Sequence, residues 1–368
     1  MVCKRLSLGV LLCALASSVF AATHATENIF LISVDGFRWQ EVFGGAEPSL
    51  INKENGVDDT NRLNAAYLRP TPEERRRALL PFFWETIAKE GQLYGNANKG
   101  SVAKLTNGKK FTYPGFNEIF TGFADARIDK NEKRNNPNVS VLEWLHQKPA
   151  FTNRVVGFAN WDVHPYILNS ERSGIPVWTG FESNFPAPPG SRLELAQQLQ
   201  RETTPYWPDM TFDSFFCRVA DEYVRLKGPR IVWIAFSETD EWAHEGRYDM
   251  YLWAAHNMDN YLRTLWTTTQ SLPQYRGKTT FILTCDHGRG TGAGWRNHGA
   301  KVAGAENIWL AVFGPDSSPM GERTNNAAIG QNQIAATLAA LLGEDYHGAV
   351  PKSGSPIADL LPGKTVAR

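Results

Sequence analysis

Cysteine is scarce in this chain, and its placement argues against disulfide bonds. Four cysteines occur among 368 residues, and Cys3 and Cys13 lie in an amino-terminal segment that we expect to be removed. An oxidising compartment would permit a bond between Cys217 and Cys285. Cys285, however, ends an apolar run typical of a buried strand, so we expect free thiols. The fold must then rest on a hydrophobic core, for which 42% hydrophobic residues are ample.

Long apolar runs and linkers are also missing. After the amino terminus no segment reaches about 18 uncharged apolar residues, the length that spans a bilayer. No repeat or linker-like segment separates two halves of the chain. These absences argue against a membrane span and favour one large domain over two smaller ones.

Neither sign of charge is in excess. The chain carries 38 basic and 38 acidic residues, and removal of residues 1–21 would leave 36 basic residues against 38 acidic ones. A net charge so close to zero gives no reason to expect nucleic-acid or membrane-surface binding by bulk electrostatics. The expected partner is a small molecule, and nothing in the sequence indicates an oligomeric state.

The amino terminus has the pattern of a secretory signal peptide. Lys4 and Arg5 precede the apolar run 6–15, and small residues follow up to Ala21. A charged start, a short apolar core and a Val-x-Ala ending predict cleavage after Ala21. Residues 22–368 should therefore form a soluble protein that is secreted or periplasmic.

Strand-like runs alternate with helical periodicity along the whole chain. Continuous runs rich in Val, Ile and Phe read as strands buried on both faces. The strand candidates are 28–34, 93–98, 154–159, 230–236, 279–285 and 308–313, and the helix candidates are 81–90, 140–147, 248–269 and 333–342. This alternation predicts an α/β fold with a mostly parallel central sheet and helices on both faces.

Two segments look like insertions in a single domain of residues 22–368. Residues 46–77 are charged and turn-rich, and residues 173–213 are dense in proline, glycine and aromatics. Because prolines remove donors and fix the backbone, the second segment is not expected to form regular helix or sheet. It is either a lid whose aromatic faces stack a ring of the ligand, or a stretch whose aromatics fill a local core.

Acidic and histidine residues follow the strongest strand candidates. Asp35 comes directly after the run 28–34, and Asp240 and His244 come after the run 230–236. Asp286 and His287 follow the run 279–285, and His298 lies further on. The carboxyl ends of parallel strands open onto one edge, where these side chains would converge. A mixed carboxylate and imidazole set suits two divalent metal ions, with zinc favoured over manganese.

A candidate nucleophile lies in the segment 109–122. Thr112 stands two residues before Pro114, and a short helix is expected up to Phe120, with Thr112 near its N-cap. A helix amino end attracts anions, and a metal-bound hydroxyl would become an attacking alkoxide. The alternative is a threonine that only caps a helix.

In chain order, these motifs resemble the alkaline phosphatase superfamily. Within it, the nucleotide pyrophosphatase/phosphodiesterase branch, the type I phosphodiesterases, is the most similar. The motifs are Ser33-Val-Asp35-Gly36, Thr112-Tyr-Pro-Gly115, Asp240-Glu-Trp-Ala-His244, Asp286-His287-Gly288 and a final His298. The resemblance spans about residues 27–345. Each motif is weak alone, but their shared order and spacing form a specific signature.

The resemblance implies a role for each matching residue. Asp240, His244 and His298 would hold one metal, and Asp35, Asp286 and His287 the other. Thr112 would lie between the two ions as a ligand and as the covalent nucleophile. The implied reaction is in-line displacement at phosphorus through a threonyl-phosphate, and Asn117 is a candidate donor to a phosphoryl oxygen.

Departures from the family pattern bear on the substrate. Gly115 and Phe116 stand where diesterase relatives have Asn and His, and the segment 157–165 lacks the Lys-x-Arg pair of threonine-dependent monoesterases. A phosphate diester, a pyrophosphate or another singly charged group is therefore favoured over a monoester, and a phosphonate hydrolase is an alternative with a similar metal set and threonine. Sulfatases need a Cys or Ser nucleophile with a following arginine, and the segment that begins at Thr112 has neither. Phosphoethanolamine transferases carry membrane helices, which this sequence lacks. From another class, a metal-stabilised binding protein without catalysis is the remaining alternative.

Overall fold

A mixed sheet forms the centre of the molecule. A computed structural model describes residues 24–181 and 185–362, so the expected signal peptide lies outside the described residues. The strands are β1 (Asn28–Val34), β2 (Gly91–Tyr94), β3 (Ala103–Lys104), β4 (Val155–Phe158), β5 (Val177–Trp178), β6 (Ile231–Phe236), β7 (Thr279–Thr284), β8 (Leu310–Phe313), β9 (Gly321–Glu322) and β10 (Ile329–Gly330). The large sheet has the order β5-β4-β6-β1-β7-β8-β2-β9, and β10 pairs with β3 separately.

The middle of this sheet consists of three long strands that are fully buried. Every residue of β1, β6 and β7 is buried, and β1 lies parallel to both neighbours. Strand β8 runs antiparallel to β7 and to β2, whereas the other pairings in the large sheet are parallel. The predicted α/β architecture with a mostly parallel sheet is thereby confirmed.

Helices of varied length surround the sheet. They are α1 (Trp39–Gly44), α2 (Thr60–Tyr67), α3 (Pro72–Leu79), α4 (Ala88–Glu90), α5 (Thr112–Thr121), α6 (Val141–His146), α7 (His164–Ile167), α8 (Ser170–Ser173), α9 (Arg192–Glu202), α10 (Asp213–Lys227), α11 (Glu238–His244), α12 (Tyr248–Ser271), α13 (Ile334–Leu341) and α14 (Tyr346–Ala349). A π-helical turn, Phe83–Ile87, precedes α4, and short 3-10 segments occur in the loops. Within the described residues, no helix is both long enough and apolar enough to cross a membrane.

Two helices show that both faces of the sheet are covered. Trp266 of α12 packs on Phe281, which pairs with residue 30 of β1. Phe116 of α5 packs on Trp233, which pairs with residue 31 of β1. Because successive side chains of a strand point to opposite faces, α12 and α5 lie on opposite sides of the sheet.

The apolar runs located the strands to within a few residues. The prediction of β1 agrees at both ends, and β6 and β7 each differ from the prediction by one residue at one end. Strand β2 lies at 91–94 where 93–98 was expected. It ends before Gly95, whose φ of 113° breaks the extended conformation.

The expectation that residues 173–213 lack regular structure was wrong. Strand β5 adds to the edge of the large sheet, and α9 forms an eleven-residue helix. Ser191 caps this helix by accepting a hydrogen bond from the Glu194 amide at 3.2 Å. The prolines of the segment lie before and after α9 and never inside it, so they bound the helix instead of breaking it.

Both remaining cysteines are free thiols, as expected. Cys285 is fully buried directly after β7, and Cys217 is partly buried on α10. The core is one continuous hydrophobic cluster that includes both sides of the large sheet. Stability therefore depends on packing, with no disulfide contribution from these two residues.

Candidate metal centre

The acidic and histidine residues predicted from sequence lie together at the carboxyl ends of the central strands. Asp35 follows β1, Asp286 lies two residues after the end of β7, and α11 begins two residues after β6 and carries Asp240 and His244. Parallel strands β6, β1 and β7 are neighbours, so their ends meet at one edge. Residues more than two hundred positions apart are thereby brought into contact.

Asp35, Asp286 and His287 form one group with metal-binding geometry. Each offers a ligand atom, and the three atoms lie within 4.8 Å of one another. His287 Nε2 is 3.2 Å from Asp35 Oδ1 and 3.6 Å from Asp286 Oδ2. The other Asp286 oxygen, Oδ1, accepts a hydrogen bond from the Gly36 amide at 3.1 Å. This is the trio that the resemblance assigned to one ion.

A second group contains Asp240, His287 and His298, whose ligand atoms also lie within 4.8 Å of one another. His244 adjoins it from the rim, with its Nε2 3.0 Å from Asp240 Oδ2 and 2.9 Å from His298 Nε2. The expected trio of Asp240, His244 and His298 is thus in mutual contact. His287 reaches both groups, a bridging position that the sequence did not indicate.

Unsatisfied atoms provide a test of whether the residues fit a cation. Asp35 Oδ1, Asp286 Oδ2 and His287 Nε2 are all buried, and none of them has a hydrogen-bond partner among the described residues. A buried polar atom without a partner costs about 1–3 kcal/mol, and more if it is charged. Three such atoms converging from one ligand group are the donor set that a divalent cation requires. The residues therefore fit a metal ion.

Arg289 is the charged residue of this site that the sequence reasoning missed. It is 1% exposed and forms an ion pair with Asp240 through Nη1. Its Nε donates to the Trp295 carbonyl at 3.1 Å, and Nη2 donates to the Arg296 carbonyl. The signal was present two positions after His287, where a charged residue continues the Asp-His-Gly motif.

The pKa shifts reflect several carboxylates sharing this single arginine. Burial raises the pKa of Asp35 well above its usual range, and the charge of Asp240 adds to the rise. Burial likewise raises the pKa of Asp286, reinforced by Asp35. Burial also acts upward on Asp240, but Arg289, His298 and His244 together outweigh it and hold this pKa well below the usual range. More positive charge is needed before all three can ionise together.

The histidines are suited to ligation. Burial, reinforced by the neighbouring His287, lowers the pKa of His298 to about 3. His298 is therefore neutral at physiological pH, the form that binds a metal through a ring nitrogen. Its Nδ1 lies 3.2 Å from the Lys110 carbonyl, and the Nδ1 of His287 lies 3.0 Å from the Gly288 carbonyl. Backbone oxygens thus orient both rings with Nε2 toward the carboxylates.

Thr112 is the first residue of α5, and its N-cap is Phe111. The residues on either side of it contact the cluster. Two positions earlier, the Lys110 carbonyl meets His298. Three positions later, a Cβ on Gly115 would collide with the backbone oxygen of Asp286. The amino end of α5 therefore lies between members of both ligand groups, and Thr112 is 3% exposed there.

Asn117 has a different environment. It is fully buried one turn further along α5, and its Nδ2 donates to the Phe123 carbonyl at 3.1 Å. Its Oδ1 accepts from Asn136 at 3.2 Å and from Asn138 at 3.1 Å. These bonds engage both ends of the amide in an internal network. They give no support to the expected contact between Asn117 and a phosphoryl oxygen.

Aromatic residues of the segment 173–213 pack beside α11, the helix that carries Asp240 and His244. Trp207 lies 4.8 Å from Trp242 and 5.3 Å from Phe212 between ring centroids, and it is 6% exposed. Tyr206 contacts Trp242 at 5.3 Å but is 56% exposed. Trp207 therefore fills a local core, one of the two expected outcomes, whereas Tyr206 keeps an open ring face.

The fold is that of the alkaline phosphatase superfamily, as comparison with solved structures shows. Alkaline phosphatase PafA is similar with a TM-score of 0.57 at 12% identity, covering 93% of this chain and 100% of PafA. A superfamily protein from Vibrio parahaemolyticus gives 0.54 at 14% identity, covering 93% and 71%. The periplasmic domain of EcEptC from Escherichia coli, in complex with zinc, gives 0.52 at 10%, covering 93% and 88%.

No family model matches this chain, and no curated protein matches it. Identities this low establish the alkaline phosphatase-like fold alone. Fold is compatible with many chemistries, so the activity must be argued from the residues of the site.

Proposed function

We propose that this protein is an exported two-metal hydrolase that cleaves phosphate esters through a covalent threonyl-phosphate. The observation that carries the proposal is the pair of ligand groups sharing His287, with unsatisfied atoms on Asp35, Asp286 and His287. Asp240, His244 and His298 would hold one cation, and Asp35, Asp286 and His287 the other. Zinc is the preferred ion because imidazoles form half of the set.

Charge supports an anionic substrate. The cluster holds three buried carboxylates against the single ion pair from Arg289. Two divalent cations, when bound, would supply Lewis-acid stabilisation and lower the pKa of a nearby hydroxyl. The edge of the sheet would then carry net positive charge in a largely buried setting, where charge interactions with a phosphoryl group are strong.

Thr112 is the proposed nucleophile. Thr112 stands in the first turn of a ten-residue helix, whose positive amino end favours an anion. The hydroxyl oxygen would bond to phosphorus as the ester oxygen of the leaving group departs. Water would then cleave the threonyl-phosphate and release the phosphorylated product. We leave Asn117 out of this scheme because its amide is engaged elsewhere.

We propose a phosphodiester or pyrophosphate as substrate. Monoester dianions need an additional cation, and the segment 157–165 supplies neither lysine nor arginine. Arg289 is almost fully buried, and one nitrogen bonds Asp240 while two others bond backbone carbonyls. This arrangement supports a role in holding Asp240 and gives no support to direct capture of a dianion. Phosphomonoesterase and phosphonate hydrolase activities are the alternatives within the same chemistry.

A parallel rate panel tests the proposal. Chelated protein is reloaded with zinc or manganese and assayed on nitrophenyl phosphodiester, phosphomonoester, phosphonate and sulfate. The diester is expected to be hydrolysed fastest. A faster monoester would overturn the diester assignment and keep the phosphoryl-transfer centre. No hydrolysis of any substrate with either metal would favour the remaining alternative, a metal-stabilised binding protein.

A further inference from the structure

A cleft opens beside the metal centre, at the same carboxyl edge of the sheet. Strand β2 runs in the same direction as β1, since it is antiparallel to β8, which is antiparallel to β7. The loop after β2 therefore lies at the edge that carries the metal cluster. Together with α1 and the start of α3, it encloses a cleft of about 480 Å³. This volume is within the range of small-molecule pockets.

The cleft and the metal centre are formed by different residues. None of the residues that line it belongs to the two ligand groups. Thr291 lines one end, two positions beyond Arg289, so the two sites share only a stretch of backbone. Between them lies Arg38, which is fully buried, pairs with Glu41 and Glu47, and donates to the Gly290 carbonyl at 3.1 Å.

Arg75 is a cation in this cleft with no acidic partner among the described residues. No ion pair within 4.0 Å involves it, and Nη1 reaches only the carbonyls of Arg69 at 3.3 Å and Pro70 at 3.5 Å. The neighbouring Arg76 differs, because it pairs with Glu322 at 3.2 Å. A half-buried arginine without an ion-pair partner can pair with an anion, although Glu73 also lines the cleft, and its planar fork suits carboxylate or phosphate oxygens.

Unsatisfied polar atoms are concentrated in the walls of the same cleft. Trp39 Nε1, Gln40 Oε1, Arg75 Nε and Arg76 Nε are buried and have no hydrogen-bond partner among the described residues. Arg76 is itself 7% exposed. Three of these atoms are donors and one is an acceptor. Arg76 is held over the Trp84 ring at 3.5 Å, so Arg75 and Gln40 are the residues that small side-chain rotations would turn toward a ligand. Such a ligand must combine acceptor oxygens with at least one donor group such as a hydroxyl.

Apolar side chains form another part of the lining, beside the polar and charged residues Glu47, Glu73, Asn96, Asn98 and Lys99. Trp39, Phe43, Pro48 and Pro72 present carbon surface to the cleft. The walls are fixed relative to each other by Gly45, whose φ is 71° and where a Cβ would collide with the backbone between residues 75 and 76. The close approach of α1 and α3 therefore leaves the cleft preformed, which lowers the entropic cost of binding.

We propose that this cleft binds a small hydroxylated anion, a sugar acid or a sugar phosphate, with Arg75 as its charge partner. The acidic group of the ligand pairs with Arg75, a hydroxyl donates to Gln40 Oε1, and the carbon skeleton packs on Trp39. This site goes beyond the proposed phosphoryl chemistry and does not depend on it. Its ligand binds whether or not Thr112 acts as a nucleophile.

Titration calorimetry on the zinc-loaded protein tests the proposal. Glucuronate and glucose 6-phosphate serve as probes, with neutral glucose and acetate as controls that each lack half of the required chemistry. Each titration is run with and without saturating orthovanadate, which occupies the metal centre. We expect one-to-one binding of at least one probe and at least about tenfold weaker binding of both controls. The preferred probe tells carboxylate from phosphate recognition.

Variants on α3 locate the site. Arg75→Gln is expected to weaken the preferred probe by about tenfold, since it removes the charge but keeps a polar side chain. Arg77→Gln is the matched control, because Arg77 is exposed on the same helix and does not line the cleft. Gln40→Met should weaken the probe without affecting acetate. Thermal unfolding checks that each variant is folded.

Three outcomes overturn the proposal. One is the absence of binding by either probe at millimolar concentration. Another is equal weakening in Arg75→Gln and Arg77→Gln, which would indicate a general charge effect. The third is binding that appears only when orthovanadate is omitted and is unchanged in Arg75→Gln, which would assign the probe to the metal centre. Each can be told apart from failure of the hydrolase proposal, because no turnover is measured.

Discussion

The Nε2 atoms of His244 and His298 lie 2.9 Å apart, although α11 carries one and the loop after the 3-10 segment Gly292–Arg296 carries the other. Asp240 Oδ2 is 3.0 Å from the same His244 atom. If both imidazoles are neutral and oriented with Nε2 lone pairs inward, they repel each other unless a cation or proton lies between them. This spacing supports the proposal that the two residues are ligands of one ion.

Metal content should follow the two ligand groups. Protein purified with zinc is expected to hold about two equivalents. His244→Ala should lose about one equivalent, since it removes a ligand only from the group of Asp240, His244 and His298. Asp286→Asn should lose the other, because it weakens the group with Asp35 and His287. Elemental analysis after gel filtration measures both. The control is His24→Ala, at an exposed histidine that belongs to neither ligand group. Full zinc content in both ligand variants would contradict the assignment.

Thr112 should be essential for turnover but not for metal binding. Thr112→Ala is expected to lower kcat on the preferred nitrophenyl ester by at least about a thousandfold, because it removes the proposed nucleophile. Thr112→Ser keeps the hydroxyl and should retain a measurable part of the rate. Zinc content is measured in parallel. A wild-type rate in Thr112→Ala with zinc intact would rule out the covalent mechanism.

Arg289 should contribute most to the stability of the folded protein when the metals are absent. Arg289→Met leaves Asp240 buried without its ion pair, and breaking such a pair costs about 3–5 kcal/mol. We expect a clear loss of thermal stability in chelated protein and a smaller loss after zinc is added, because cations then balance Asp240. Differential scanning calorimetry with and without zinc measures the difference. Equal losses in both states would assign Arg289 to its carbonyl contacts at residues 295 and 296.

The central part of the fold and the convergence of its acidic and histidine residues at one edge could be predicted from sequence for one reason. Long apolar runs form β1, β6 and β7 without competition, and parallel strands must expose their carboxyl ends at a common edge. Asp35 and Asp286 then follow as neighbours. The prediction needed only local pattern and one topological rule.

What could not be predicted depends on tertiary contacts. The start of the π-helical turn is held by Asp259 of α12, whose carboxylate accepts from the amides of Phe82 and Phe83 at 2.8 Å each. No local motif marks that pairing across 176 or more positions. Likewise, the bridging position of His287 and the ion pair of Arg289 arise from how loops fold over the sheet edge. Residue type alone does not distinguish them from ordinary loop residues.

Asp259 should make the protein less stable as the pH rises. Burial raises its pKa to about 7, against about 4 in an unfolded chain, and the hydrogen bonds from Phe82 and Phe83 only partly offset this rise. Arg263 lies 4.0 Å away and lowers the pKa, whereas Glu85 raises it. Between these two pKa values the unfolded chain loses a proton that the folded protein keeps, so unfolding becomes more favourable with increasing pH.

The test compares the wild type with Asp259→Asn, which cannot titrate but retains one acceptor for the two amides. Urea unfolding at pH 4.5 and pH 7 gives the difference in unfolding free energy between the two proteins at each pH. Other titrating groups, including the metal cluster, contribute equally to both and cancel. We expect the wild type to lose at least about 1 kcal/mol relative to Asp259→Asn over this interval, since each pKa unit corresponds to about 1.4 kcal/mol. Parallel pH profiles would mean that the backbone amides keep Asp259 ionised in the folded protein at pH 4.5.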